Sequence, residues 1–172
     1  ALSALGVGPG DEVIIPSLTF IAPAGAAVMN GAVPVFSEVE PDTLMMDPED
    51  LERKINKRTK AVIPVHLRGM GASMDEIMEI TEKHNIPVIE DSAQSCGGSY
   101  QGKTLGSIGE IGVFSFQLNK IITAGEGGAV VTDNDDIYNR ALRAHDHGNN
   151  REGDAGEPFL SENYRMNEIT GA

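Results

Sequence analysis

The sequence has no tryptophan, a single cysteine (Cys96) and half as many basic residues as acidic ones, 13 against 26. Each scarcity closes a class of function. One cysteine rules out an intramolecular disulfide framework, so a reducing compartment is expected. A net charge of −13 argues against nucleic acid or an anionic membrane surface as a partner, because both call for a basic footprint. Phosphorylated small molecules stay open, since a local nest of amides can override the sign of the whole chain. No apolar run approaches the ~20 residues that span a bilayer, and no signal peptide opens the chain. A cytoplasmic protein is expected. Internal repeats, low-complexity tracts and a clear interdomain linker are also missing.

What is present is one domain's worth of chain: 172 residues, 40% hydrophobic, with 20 glycines for tight turns. Strand and helix signals alternate. An apolar strand, Glu12 to Ile15, is stopped by Pro16 and Ser17. "LTFIAPAGAAVMNG" has helical spacing, with Pro23 in its first turns and Gly31 as its stop. A strand "AVPVFSEV" leads to the helix "DPEDLERKINKRT", whose acids come early and bases late, with Asp47 as N-cap and Pro48 at the first helical position. Then follow a strand "KAVIPVHL", an amphipathic helix "SMDEIMEITEKHN" with Ser73 as candidate cap, and a strand "IPVIED". After the later strands "GVFSF" and "AVVT", a helix "DNDDIYNRALRAHDHG" is capped from Asp133 or Asn134. This order predicts an α/β fold with a largely parallel sheet and right-handed crossovers. "GNNREGDAGEPFLSE" reads as a mobile loop. "ALSALG" reads as a last helical turn stopped by Gly6 and "NYRMNEITGA" as the first turns of another helix, so an internal piece of a longer protein is expected.

The chemistry gathers between Val88 and Thr132. A buried strand ends in two carboxylates, Glu90 and Asp91, and Lys120 follows a second strand among Leu118, Ile121 and Ile122. An acid and a lysine placed so can meet outside the carboxyl ends of a parallel sheet, where α/β proteins bind ligands. A lysine among apolar groups is more easily the neutral amine that forms a Schiff base. A carboxylate against a pyridine nitrogen keeps that ring protonated as an electron sink. Asp91 and Lys120 suit pyridoxal phosphate in those roles, although a solvated lysine and a turn-capping aspartate are the ordinary alternatives.

Other constellations carry less. "GGSYQGKT", Gly97 to Thr104, matches the phosphate loop of nucleotide triphosphatases, which would make the protein a nucleotidase. A true phosphate loop follows directly on a strand and opens a helix. Here "SAQSC" intervenes, and "LGSIGEIG" with its three glycines would be a poor helix. His145, Asp146 and His147 lack a matched third ligand, so no metal site is assigned. His66 ends a strand and reaches either the ligand edge or the core. Arg68 beyond it is a candidate anion reader or a plain surface arginine.

Taken together, "GVGPGDEVIIPSLTFIAPAGAAVMNGAVPVF", "MDPEDLERKINKRTKAVIPVHLRG", "VIEDSAQSCGGSYQGKTLGSIGEIGVFSFQLNKIITAGEGGAVVT" and "NYRMNEI" resemble the DegT/StrS family of sugar aminotransferases. The resemblance implies the large domain of a pyridoxal 5'-phosphate enzyme of the aspartate-aminotransferase (type I) fold, a mostly parallel mixed sheet with helices on both faces. It implies roles residue by residue. Lys120 matches the Schiff-base lysine that also moves the proton, and Asp91 the carboxylate at the pyridine nitrogen. Gln94 matches the residue near the phenolic oxygen, Phe20 the aromatic stacked on the ring, and Ser115 a phosphate ligand. Asn163 matches the asparagine that reaches the phosphate of the neighbouring subunit's cofactor. A homodimer with shared sites is therefore implied. The usual reaction moves an amino group, commonly from glutamate, onto a nucleotide-linked keto-sugar. Relatives with histidine for the lysine are sugar dehydratases, so Lys120 favours the aminotransferase branch; a catalytically silent relative is disfavoured by the intact residues.

Two departures stand out. The family's glycine–threonine phosphate loop is expected before Ala1 and its small C-terminal domain after Ala172. Arg68 in "HLRG" stands where the commoner pattern has tyrosine, which suggests an acidic sugar as substrate.

Overall fold

The protein is described from a computed structural model, over residues 1–149 and 156–171. Its centre is a six-stranded mixed sheet built from two three-stranded halves. The first runs β2 (Val33–Ser37), β1 (Glu12–Pro16), β3 (Thr59–Val62), all parallel. The second runs β4 (Ile89–Asp91), β7 (Ile111–Ser115), β8 (Gly128–Val131), parallel except that β8 runs against β7. Isolated parallel bridges, Val62 to Val88 and Val65 to Asp91, join β3 to β4 and make the halves one sheet. A two-stranded hairpin, β5 (Ser99–Tyr100) and β6 (Lys103–Thr104), stands apart.

Side-chain alternation along β1 explains the layers. Val13 and Ile15 point into a cluster with Ala27, Ile89 and Ile111, covered by α1 (Ala22–Met29) and by Ile137 of α4 (Asp135–His145). Ile14 points the other way, to Leu51 of α2 (Pro48–Lys54) and Met74 and Ile77 of α3 (Met74–His84). A strand buried on both faces needs a continuous apolar run, and all five β1 residues are buried, Glu12 included. The α/β architecture with helices on both faces is therefore as the sequence predicts.

The caps vary. The Asp47 side chain accepts the Glu49 N–H at 2.9 Å, and Asn134 accepts those of Asp136 and Ile137 at 2.9 and 3.1 Å, which places the α4 cap at Asn134. Ser73 occupies the N-cap position of α3 without a side-chain bond. Helix α1 starts only at Ala22, so Leu18 to Phe20 form a turn instead of its first residues. Pro64 cuts the expected strand "KAVIPVHL" short, since it brings no N–H to a ladder. The segment expected as a loop from Gly148 to Glu162 has residues 150–155 outside the described residues. A short helix, α5 (Glu168–Gly171), follows near the end.

Candidate active site

Parallel strands deliver their carboxyl ends to one edge, and most residues singled out above sit on the turns that leave it. Phe20 follows β1, Arg68 follows β3, Asp91 ends β4, Ser115 ends β7, and Lys120 lies in the β7–β8 connection. Because β8 is antiparallel, its first residue, Gly128, returns to the same edge opposite Ser115. The edge is assembled from both halves of the sheet.

Asp91 is fixed by its backbone. Its N–H bonds Pro64 O at 2.9 Å and its carbonyl accepts the His66 N–H at 3.0 Å. Its Oδ1 accepts the Ala93 N–H at 3.0 Å. Burial pushes the Asp91 carboxyl above the ordinary carboxylate range, opposed by the Ala93 N–H, by Lys120 and by His66. Lys120, in the connection that leaves β7, lies close enough for its charge to act on the Asp91 carboxyl. Lys120 sits on a tight loop: its N–H bonds Gln117 O at 2.9 Å, and Phe116 O accepts the Ala124 N–H at 2.9 Å across the base. The apolar neighbours do not wrap it. Leu118 is 67% and Ile121 71% exposed, so in this chain they form an open surface and not a pocket.

Ser115 Oγ accepts the Gln117 N–H at 3.4 Å, which leaves its own O–H to donate. Gln94 Oε1 accepts the Arg68 N–H at 3.2 Å, leaving the amide NH2 as a donor. Arg68 is exposed and holds a left-handed backbone, φ 53° and ψ 32°. Phe20 is 69% exposed at the edge. Asn163 lies on the segment that pairs with the end of α4. It pairs with Asp146 beside an open cleft of about 540 Å³ lined by Gly128, His145 and Tyr164, and its Oδ1 accepts the Arg165 N–H.

His66 is not at the ligand edge. Its side chain is completely buried: Nδ1 accepts the Ala72 N–H at 3.1 Å, and Nε2 therefore donates to Glu90 Oε2 at 2.9 Å. Glu90, also fully buried, accepts three backbone N–H groups as well, from Gly106, Ile108 and Gly109 at 2.9, 2.5 and 2.7 Å. Burial alone would raise its carboxyl, but His66 and the three amides outweigh it and leave Glu90 below the ordinary range. The role of Glu90 was not read from the sequence. The glycines of "GSIGEIG" were its signal, because they let a loop approach a strand closely enough to aim amides at one carboxylate.

The phosphate-loop pattern dissolves. Gly97 to Thr104 spans the β5–β6 hairpin, turned at Gln101 and Gly102 with φ 48° and 81°, and no helix follows it. The set of groups at the edge is instead an amine, a half-buried carboxyl, a carboxamide NH2 and the Ser115 hydroxyl. Thr19, next to Phe20, has a buried hydroxyl oxygen with no hydrogen-bond partner. That set fits a planar cofactor with a basic ring nitrogen and a phosphate.

The whole chain, residues 1–172, matches the model of the DegT/DnrJ/EryC1/StrS aminotransferase family. The chain belongs to that family. Its members are in general pyridoxal-phosphate-dependent. GDP-perosamine synthase of Caulobacter vibrioides is 47% identical over 174 residues, covering 100% of this chain and 46% of its own length. L-glutamine:2-deoxy-scyllo-inosose aminotransferase of Streptomyces fradiae is 47% identical over 146 residues, 84% of this chain and 34% of that protein. The aminotransferase of Psychrobacter cryohalolentis superposes with a TM-score of 0.90 at 41% identity, over 98% of this chain and 46% of that one. This family member spans about half the length of the relatives it matches.

Proposed function

We propose that this chain carries the cofactor-binding domain of a pyridoxal 5'-phosphate-dependent aminotransferase that moves an amino group from glutamate onto a keto-sugar. The observation that carries the reading is that the parallel strands β4 and β7 end at one sheet edge, with Asp91 closing the first and Lys120 on the connection that leaves the second. When bound, the cofactor supplies an electron sink for the carbon that gains or loses a proton. Asp91 would hold a proton at the ring nitrogen, the Ser115 hydroxyl would donate to the phosphate, and Phe20 would cover one face. The Gln94 NH2 would donate to the phenolic oxygen. Lys120 Nζ takes up and returns the proton of the transfer, one base serving both directions.

The name GDP-perosamine synthase supports a nucleotide-linked sugar as substrate. Arg68, exposed at the same edge, supports an acidic one: a guanidinium pairs bidentately with a carboxylate or phosphate. Unchanged kinetics toward acidic sugars in Arg68→Ala would remove that second option. As amino donor we keep glutamate; a relative whose name carries L-glutamine makes the amide the competitor to assay beside it. Asn163 is assigned to a neighbouring subunit's phosphate in a homodimer, on the family resemblance of "NYRM". A cytoplasmic setting accords with the single cysteine, and no helix among the described residues is long and apolar enough to cross a membrane.

The test is an absorbance spectrum with added pyridoxal phosphate. A visible band at ~420 nm, lost in Lys120→Ala, is expected. Absence of the band, or its persistence in the variant, overturns the proposal.

A further inference from the structure

Asp91 owes its place to a buried pair behind it. The Glu90 side chain leaves β4 on the opposite face from Asp91, as neighbours on a strand must. It is held by four donors, three of them amides of the loop that precedes β7. His66 closes the other side. Its backbone N–H bonds the Asp91 carbonyl while its ring bonds Glu90, so one residue grips two consecutive residues of β4. The grip lies where the sheet has least backbone pairing, at the isolated bridges between β3 and β4. A carboxylate buried with four donors is a costly arrangement for mere filling, and an apolar pair would pack the same space. We propose that His66 and Glu90 are positioning residues, which lock the end of β4 so that Asp91 presents its carboxyl to the ligand edge. The proposal rests on the cofactor role given to Asp91 above.

The groups acting on the Asp91 carboxyl are the Ala93 N–H of its own loop, Lys120 from the β7–β8 connection and His66 from the segment after β3. Two substitutions divide the roles of His66. A glutamine amide reaches about as far as Nε2 and can still donate to Glu90. An asparagine oxygen replaces Nδ1 and can still accept from Ala72, but the link to Glu90 is cut. Each loses one hydrogen bond, and only the asparagine loses the link to Glu90, so the Asp91 midpoint, and not stability, separates positioning from mere propping of the core.

The experiment is a carbon-13 NMR titration of Asp91 in the cofactor-free protein, for the parent, His66→Gln and His66→Asn, with melting temperatures alongside. His66→Gln should stay within error of the parent. His66→Asn should raise the Asp91 midpoint by about half a pH unit, as a favourable neighbour dipole is lost. Equal midpoints in both variants overturn the proposal. Should His66→Asn not fold, the parent decides: the His66 Nε2 proton resonance must follow the Asp91 titration, and an unmoved resonance refutes the link. Pyridoxal phosphate binding by the parent separates the two readings. If the parent does not bind it but Asp91 still follows His66, the cofactor role falls and the positioning pair stands.

Discussion

Replacing Gly112 by alanine should damage the protein out of proportion to one methyl group. A Cβ there would lie 2.7 Å from the carbonyl carbon and 2.9 Å from the Cα of Gly106. Those are backbone atoms, so no rotamer change can relieve the clash; either β7 or the 106–109 loop must move. That loop supplies three of the four donors to Glu90. Overpacking a fitted site costs about 1–3 kcal/mol, and losing one N–H to a buried carboxylate adds about 1.5–3 kcal/mol. A loss of about 4 kcal/mol corresponds to a fall in melting temperature of about 8–16 °C for a chain of this size. Thermal and urea unfolding followed by circular dichroism measure it. Gly25→Ala is the control: α1 has open space at that position, and the change should stabilise by about 0.5–1 kcal/mol. If Gly112→Ala cost less than about 1 kcal/mol, the tight approach of loop and strand, and the amide cradle built on it, would be wrong.

Asp50 gives a pH signature. Burial alone would raise its carboxyl, but Lys54, the Glu38 N–H and Arg53 hold it at about 2. Its folded value lies below its unfolded one, so its stabilisation is full above about pH 4 and is lost as pH falls through about 2, amounting to roughly 1–2 kcal/mol given the solvent-exposed arginine. Urea unfolding between those limits should show this slope, and Asp50→Asn should flatten it. Asn134→Ala removes an oxygen that takes two N–H groups at the start of α4, and urea midpoints should report a loss of about 1 kcal/mol. Arg68→Gly relieves a left-handed residue and should raise stability by about 0.5–1 kcal/mol; the same variant should lose turnover of acidic sugars in full-length enzyme while neutral ones are spared.

The order of strands and helices was legible because its signals are local. Pro48 behind Asp47 starts α2, and the unbroken run Val13–Ile15 marks a strand buried on both faces. Asp91 and Lys120 could be assigned to one edge because the strands that lead to them, β4 and β7, are parallel and end there. His66 could not be settled: its side chain is decided by Glu90, 24 residues on, and by a loop that folds back over it. Nor could the surroundings of Lys120. Leu118 and Ile121 read as a lining, yet sequence gives hydropathy and not enclosure, and this chain leaves them open. The Gly97–Thr104 pattern misleads for a related reason, since glycines that suit a phosphate loop suit a tight hairpin turn equally well.

The seam between the two halves of the sheet has one more consequence. Val62 and Val88, and Val65 and Asp91, pair only as isolated bridges, and the candidate site lies across that line, with Phe20 and Arg68 on one side and Asp91, Ser115 and Lys120 on the other. A small molecule gripped from both banks is a staple. It closes the sheet where the backbone closes it least, and its binding energy adds to folding in proportion to the logarithm of its concentration. The same molecule that equips the protein for chemistry would then also hold its architecture shut.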